Sequence, residues 1–506
     1  MLRDIPAHKI ARISTIAILS FMISWGLFLV LAEVRPFWHD EWRLIYNLKF
    51  KSPAALWGPL DFTQQFPRVY LEFLKTITSR FDYSYSIMRF PSFLVGTATI
   101  FLCYRLVRKI YAPDTITGFL FVAIIISSVT FTEYFVQVKQ YTMEIFLSVV
   151  AVWQLVQLIR ICKEGIQNKW RYALLCLTFL AAPFFSYTYP IAAAPIFVVM
   201  FLQCILLLRR KEEKNHKQRT LFLLCFPLLI AACSILVFYV IDVSHLMGDK
   251  QMHGYWSYRM MAGGSGIKHI ATKFWDFFAQ VGPGLAFEII FGILGISAFM
   301  FGIYKLEIAK NTTNYDIYQS LRLYSILLIF VSIGLFLAGK LPVEPKFNAF
   351  TLPAIAILVI FLLDALQMSV STRKFAGGLI IVLFIGLLGN VFATAVNLFT
   401  APEYAKRMKT YVATENAIKQ AQAGKLTILI TPGVAYPDAI TESTTNLDPI
   451  SASEVLKTFP AYMVAQNMTV YSIPDLTLAK EKMIQLPDSI TTVLAGDGIT
   501  FLKLNR

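Results

Sequence analysis

The sequence predicts an α-helical polytopic membrane protein with interfacial helices and a small soluble α/β domain at its C-terminal end. Three observations predict it. The 506 residues are 57% hydrophobic and only 15% charged, with a mean hydropathy of +0.60, outside the range of soluble globular chains. Apolar runs of spanning length recur up to Thr400. Beyond Thr400 the runs shorten to strand length and charges become regular. The net charge of +15 does not indicate a nucleic-acid partner, because the basic residues fall in short clusters between apolar runs rather than on one soluble face.

In chain order, Arg3, Lys9 and Arg12 precede an apolar run of about 20 residues. It is too long for a signal-peptide core and lacks a small-residue cleavage site, so it reads as an uncleaved anchor. Further runs occupy residues 90–106, 116–135, 143–161, 172–189, 191–208, 221–241, 284–304, 323–338, 350–366 and 375–399. A bilayer core of about 30 Å, crossed at about 1.5 Å per residue, makes these and the first run (13–32) about eleven helices. An odd count places the two termini on opposite sides.

The short loops with Arg105/Arg108/Lys109, Arg160/Lys163/Lys169/Arg171, Arg209/Arg210/Lys211/Lys214/Lys217/Arg219, Lys305/Lys310/Arg322 and Arg373/Lys374 all share the N-terminal side. The positive-inside rule makes that side cytoplasmic. The first loop (33–86), the turn at Lys139, the segment 242–283 and the tail then lie outside. That outer face also carries Arg35, Arg43, Arg68, Arg80 and Arg89, which run against the rule and ask for an anionic ligand.

Residues 1–400 therefore read as a transmembrane module and 401–506 as an extracytoplasmic α/β domain. Between Trp38 and Tyr85 the chain is too polar to span yet rich in aromatic residues, as amphipathic interfacial helices require. Segment 242–283 holds His245, His253, Tyr255, Trp256, Tyr258, Arg259 and Gly263-Gly264-Ser265-Gly266, the composition of a mobile lid or substrate loop. In the tail, residues 403–422 and 451–466 read as helices. Residues 426–431, 468–473, 491–495 and 499–504 read as strands, the last behind a Gly496-Asp497-Gly498 turn.

Six cysteines lie in or beside apolar runs without paired spacing and read as small core residues. The histidines, His39, His245, His253 and His269 among them, show no ligand spacing, so no metal site is assigned. Asn467-Met468-Thr469 is a glycosylation sequon of low specificity.

The chemistry concentrates in the stretch from Arg35 to Tyr46, where Asp40 and Glu41 follow the first span between Arg35 and Arg43 and among Trp38, Trp42 and Tyr46. Charged groups are costly at membrane depth, about 2.5 kcal/mol or more on insertion scales, so a cluster at the rim tends to be retained for use. The plainer reading is an interfacial helix cap, with Asp40 on backbone N–H groups and Glu41 paired to Arg35 or Arg43. At the next outer turn, Lys139, Tyr141 and Glu144 read either as a snorkelling lysine with an interfacial tyrosine or, with Glu133, as a second acid patch. Lys346, just before the tenth span, is a further basic residue at the outer rim.

The pattern Trp38-His39-Asp40-Glu41-Trp42-Arg43, with Pro67 and Tyr70 downstream, Arg89-Phe90-Pro91-Ser92 opening the second span and Lys139-Gln140-Tyr141 with Glu144, resembles the GT-C glycosyltransferases. Within them it is most similar to the branch of protein O-mannosyltransferases and lipid A aminoarabinose transferase. The resemblance covers nearly the whole chain. It implies transfer of a sugar from a polyprenyl-phosphate donor to a protein, lipid or glycan acceptor on the extracytoplasmic face. Asp40 would be the catalytic carboxylate, with Glu41 supporting it, and Arg43 would contact the carrier phosphate. The aminoarabinose transferase pattern has a lysine before a Pro-Pro-Leu-Tyr-like stretch. Here Gln64-Gln65-Phe66-Pro67-Arg68-Val69-Tyr70 lacks that lysine, and Arg68 is the candidate substitute. Lys346 resembles a basic outer residue that many family members place there. No cofactor is certain, although some GT-C relatives use a divalent cation, which here would bridge Asp40 and the phosphate.

Physical chemistry supports one base. A phosphate leaves an anomeric carbon readily, unlike the alkoxide for which glycoside hydrolysis uses two carboxyls. A positioned carboxylate gives about 10²- to 10⁴-fold by taking the acceptor proton. Cations on the departing phosphate stabilise the charge that builds there. Asp40 with Arg43, Lys139 and Arg89 or Arg259 suits a single in-line, inverting displacement, and Glu144 suits orientation of the acceptor. Two rival classes remain. A transporter or flippase predicts mid-span charges and related halves, and a membrane O-acyl or phosphoglycol transferase predicts a mid-membrane histidine.

Overall fold

The computed structural model describes residues 7–32, 39–60, 64–81, 83–110, 116–209, 214–244, 267–279, 281–282, 284–304, 315–400, 428–430, 470–472, 490–496 and 499–504. Asp40 and Arg43 are described by their backbone alone. The chain divides into two compact units, Met1–Leu31, Gln65–Leu74 and Ser86–Ala395 forming one, and Ala32–Gln64, Lys75–Tyr85 and Val396–Arg506 the other.

The helices, in chain order, are α1 (Ala7–Leu31), α2 (His39–Phe50), α3 (Pro53–Leu56), α4 (Arg68–Ser79), α5 (Tyr85–Ile110), α6 (Ile116–Ser127), α7 (Val129–Tyr134), α8 (Tyr141–Glu164), α9 (Lys169–Ala181), α10 (Tyr189–Arg209) and α11 (Lys214–Phe238). They continue with α12 (Ile267–Ala279), α13 (Leu285–Tyr304), α14 (Tyr315–Leu337), α15 (Leu352–Met368) and α16 (Arg373–Thr400). Among the described residues nine helices are long and apolar enough to cross a membrane, so the chain is an integral multi-pass membrane protein.

All eleven predicted runs are helical, but two are interrupted. The run 116–135 breaks where Ser128 turns extended (φ −59°, ψ 140°), and its Oγ caps α7 by accepting from the Phe131 N–H at 3.2 Å. The run 172–189 breaks at a 3₁₀ turn, Ala182–Phe185, that contains Pro183. Ser186 then accepts from the Thr188 and Tyr189 N–H groups at 3.2 and 3.1 Å and starts α10. Segment 242–283, expected as a loop, contains the amphipathic helix α12, while its residues 245–266 lie outside the described residues. Its aromatic ridge packs on glycines of α13: a Cβ on Gly292 would lie 2.6 Å from Trp275, and one on Gly295 2.6 Å from Phe278.

The core of the first unit is α8 and α15, each with 83% of its apolar window buried, against 28–56% for the other spans. Phe135 wedges between two helices through glycine notches, since a Cβ on Gly26 or Gly96 would lie 2.3 or 2.2 Å from its ring. At one end of this unit the Arg160 guanidinium donates to the Lys109 carbonyl at 3.1 Å and Lys163 pairs with Asp316. These are cations of the loops that the charge pattern assigns to a single side.

In the second unit, α2 is closed by Lys75, whose Nζ donates to the carbonyls of Leu48 and Lys51 at 2.6 and 2.8 Å. Tyr83 adds its hydroxyl to Leu48 at 3.1 Å. Strands β1 (Ile428–Ile430) and β2 (Val470–Ser472) pair in parallel. Strands β3 (Ile490–Gly496) and β4 (Ile499–Leu504) form an antiparallel hairpin with an irregularity between Thr492 and Leu494. These are the four expected strands. The two expected helices of the tail lie outside the described residues.

Candidate functional site

Within the first unit, charged residues collect where α4, α5, α8 and α10 begin and α11 ends. Pro67 precedes α4, its carbonyl accepting the Leu71 N–H at 2.9 Å, and Arg68 stands at the first helical position, 4% exposed. Its backbone N–H, which has no partner within the helix, donates to Asp242 Oδ2 at 2.8 Å, and its Nε lies 3.9 Å from Asp242 Oδ1. Among the described residues, Arg68 Nη1 is buried with no hydrogen-bond acceptor.

Asp242 sits in a π turn, Tyr239–Val243, at the end of α11, and is 3% exposed. Its Oδ1 accepts the Tyr187 hydroxyl at 2.8 Å, and that hydroxyl also lies 2.9 Å from the Phe66 carbonyl. Burial first, and then the charge of Asp242, holds the Tyr187 phenol protonated well above the ordinary range; Arg68 acts the other way, and the Glu144 charge is also felt there. Tyr70 is buried, stacked on Phe66 at 5.1 Å and tilted against Phe185 at 5.9 Å.

Arg89, in the first turns of α5, has no exposed surface, and its Nη1 donates to the Val136 carbonyl at 3.0 Å. That bond holds the irregular turn before α8, which carries Lys139. Lys139 is 6% exposed, so it is buried rather than snorkelling. Tyr141 opens α8 with its ring 4.6 Å from Tyr134 and 6.2 Å, edge on, from Phe347. The second contact brings the loop with Lys346 to the same place. Lys346 Nζ lies 3.9 Å from Glu344 and 5.2 Å from the Phe347 ring centroid. Glu144 is 4% exposed, and its Oε2, like Gln140 Oε1 one turn earlier, is buried without a partner among the described residues. Glu133 is exposed, so the two carboxylates occupy different environments.

Arg68, Arg89, Lys139, Tyr141, Glu144 and Lys346 thus belong to one unit and one end of it. Asp40, Glu41 and Arg43 lie on α2 in the other unit, where Glu41 is fully buried. Arg259 lies outside the described residues. Sequence reasoning missed Tyr187 and the role of Asp242. Asp242 carried a legible signal, a single acid ending an apolar run, whereas Asp40 was singled out by its acid neighbour and the flanking arginines. Among the described residues no three His, Cys, Asp or Glu side chains gather as a metal cage.

Compared with solved structures, the chain matches ArnT from Cupriavidus metallidurans bound to undecaprenyl phosphate with a TM-score of 0.52 at 12% identity, over 97% of this chain and 98% of that one. The chain has the GT-C fold. ArnT in the apo state matches at 0.49 with 11% identity over the same shares. The oligosaccharyltransferase AglB from Archaeoglobus fulgidus, in complex with an inhibitory peptide and a dolichol-phosphate, matches at 0.46 with 13% identity over 75% of this chain and 56% of that one. Neither of these adds weight. No protein-family model matches the chain, and no curated protein matches it by sequence. At such identity the GT-C likeness shows the fold alone, and residue roles rest on the chemistry of the side chains.

Proposed function

We propose that the chain is a GT-C glycosyltransferase that moves a sugar from a polyprenyl-phosphate donor to a protein, lipid or glycan acceptor at the extracytoplasmic face, with inversion. The observation that carries this reading is the buried cluster at one end of a membrane bundle, with a guanidinium nitrogen of Arg68 and a carboxylate oxygen of Glu144 both lacking partners among the described residues. Such groups are costly to leave unmade, about 1–3 kcal/mol each and more when charged, and an anionic, hydroxyl-rich ligand satisfies both kinds.

In this reading Asp40 removes the acceptor proton and Glu41 supports it. Arg43, Arg68, Arg89, Lys139, Tyr141, Arg259 and Lys346 share the carrier phosphate, and Glu144 orients the acceptor. As the anomeric C–O bond breaks, the electron pair leaves on the phosphate, where fixed cations stabilise it without reorganisation. Asp40→Asn tests the reading in membranes given a radiolabelled polyprenyl-phosphate sugar. Transfer is expected to fall by at least about 10²-fold while carrier binding stays nearly intact. Full activity in the variant would show that another group is the base. A chain that only translocates the lipid would move label across the bilayer and form no product.

A further inference from the structure

Arg68–Asp242 is an ion pair with both side chains buried, at 5% and 3% exposure. Asp242 is oriented towards the start of α4 more than towards the guanidinium. Its Oδ2 takes the Arg68 backbone N–H at 2.8 Å, a hydrogen bond, whereas Nε stands 3.9 Å from Oδ1, a charge contact only. The Tyr187 hydroxyl shares its single proton between Asp242 Oδ1 and the Phe66 carbonyl. The segment Phe66-Pro67-Arg68 is therefore held at two carbonyl and amide positions by one carboxylate and one phenol that come from distant parts of the chain. The phenol is a constant donor, since it stays protonated well beyond neutral pH.

This arrangement leaves one part of Arg68 unused. Nη1 is buried and has no acceptor among the described residues, although a guanidinium offers five N–H donors in a rigid fork. If Asp242 served to neutralise Arg68, it would take the fork directly. Instead its hydrogen bond goes to the Arg68 backbone, its approach to Nε is a looser charge contact, and Nη1 is left without an acceptor among the described residues. We infer that Asp242 and Tyr187 are positioning residues, which clamp the first turn of α4 so that the guanidinium of Arg68 is pre-set for the phosphate of the lipid carrier. The inference rests on the carrier reading of Arg68 above. It adds that affinity for the phosphate depends on two residues that touch no ligand. Pre-ordering a long side chain before binding is the usual way to avoid losing its rotamer freedom on association.

The test is a double-mutant cycle on the purified full chain in nanodiscs, titrated with undecaprenyl phosphate and followed in parallel by thermal unfolding. Arg68→Gln is expected to weaken binding by about tenfold or more, the scale of one charge-assisted hydrogen bond. Asp242→Asn should weaken it by a comparable factor and Asp242→Glu should recover part of the loss. Tyr187→Phe, which removes one oxygen, should give a smaller loss with little change in Tm. In the Arg68→Gln background neither Asp242→Asn nor Tyr187→Phe should weaken binding further, because their effect passes through Arg68. Losses that add in full, or wild-type affinity in both Asp242→Asn and Tyr187→Phe, overturn the inference while leaving the carrier reading in place. Should Asp242→Asn fail to fold, Tyr187→Phe and its cycle with Arg68→Gln decide. A wild-type chain that does not bind undecaprenyl phosphate overturns the carrier reading and this inference together.

Discussion

Arg89 contributes both charge and structure. Its Nη1 bond to the Val136 carbonyl holds the turn that carries Lys139, so a substitution removes one cation and loosens a second. Arg89→Met is expected to lower stability by about 1.5–3 kcal/mol, the range for a hydrogen bond to a charged group, and to weaken carrier binding as well; thermal unfolding and a lipid titration read the two effects separately. Glu144→Gln is expected to raise the KM for the acceptor and leave the carrier Kd unchanged, and the reverse pattern would reassign Glu144 to the donor. Tyr187 gives a pH signature. Its folded phenol titrates above its unfolded one, so past about pH 10 the unfolded chain releases a proton that the folded chain keeps, and stability falls with rising pH. Tyr187→Phe should flatten that fall in a pH series of unfolding curves. Arg68 and Glu144 were legible as rim charges in the sequence. Their burial, and the partnership of Arg68 with an acid 174 positions away, were not, because hydropathy and local spacing carry no information on pairs so far apart.

Between elements, close approach is set by glycine. Phe135 fills space that a side chain on Gly26 or Gly96 would need, so Gly96→Val is expected to destabilise the bundle by about 1–3 kcal/mol through overpacking. Phe135→Ala in the same chain should recover part of that loss, and a shift in Tm that the second change does not reduce would show that the ring is not the obstacle. The apolar runs marked every span because length and hydropathy suffice for that. The breaks carry local marks, the pair Ser127-Ser128 and Pro183, but Pro91, Pro195 and Pro227 stand inside helices that continue, so such a mark does not by itself say which run breaks. The four strands of the tail were readable from short β-rich runs and from the Gly496-Asp497-Gly498 turn. The parallel pairing of β1 with β2 was not read from single runs, although the helical stretch 451–466 between them in sequence is the pattern that a parallel crossover needs.

Across the first unit, the contacts of Arg160 with Lys109 and of Lys163 with Asp316 bring three of the basic loops to one end, which the positive-inside rule predicts to be cytoplasmic. In a cysteine-free background, Trp170→Cys, at a position 85% exposed, should react with an impermeant thiol reagent only from the cytoplasmic side, and Glu133→Cys only from the other; the opposite result would invert the topology. Helices α6 and α9 have 12 and 13 residues and cover about 18 to 20 Å, well short of a hydrocarbon slab of about 30 Å. The irregular stretches that follow them, residues 135–140 and 182–188, are largely covered by protein. Under the carrier reading, the phosphate has to reach a buried nitrogen of Arg68 rather than an open surface, so the prenyl tail is expected to share in the binding. A carrier trimmed to water-soluble length, with the phosphate unchanged, is accordingly expected to bind far more weakly in a side-by-side titration.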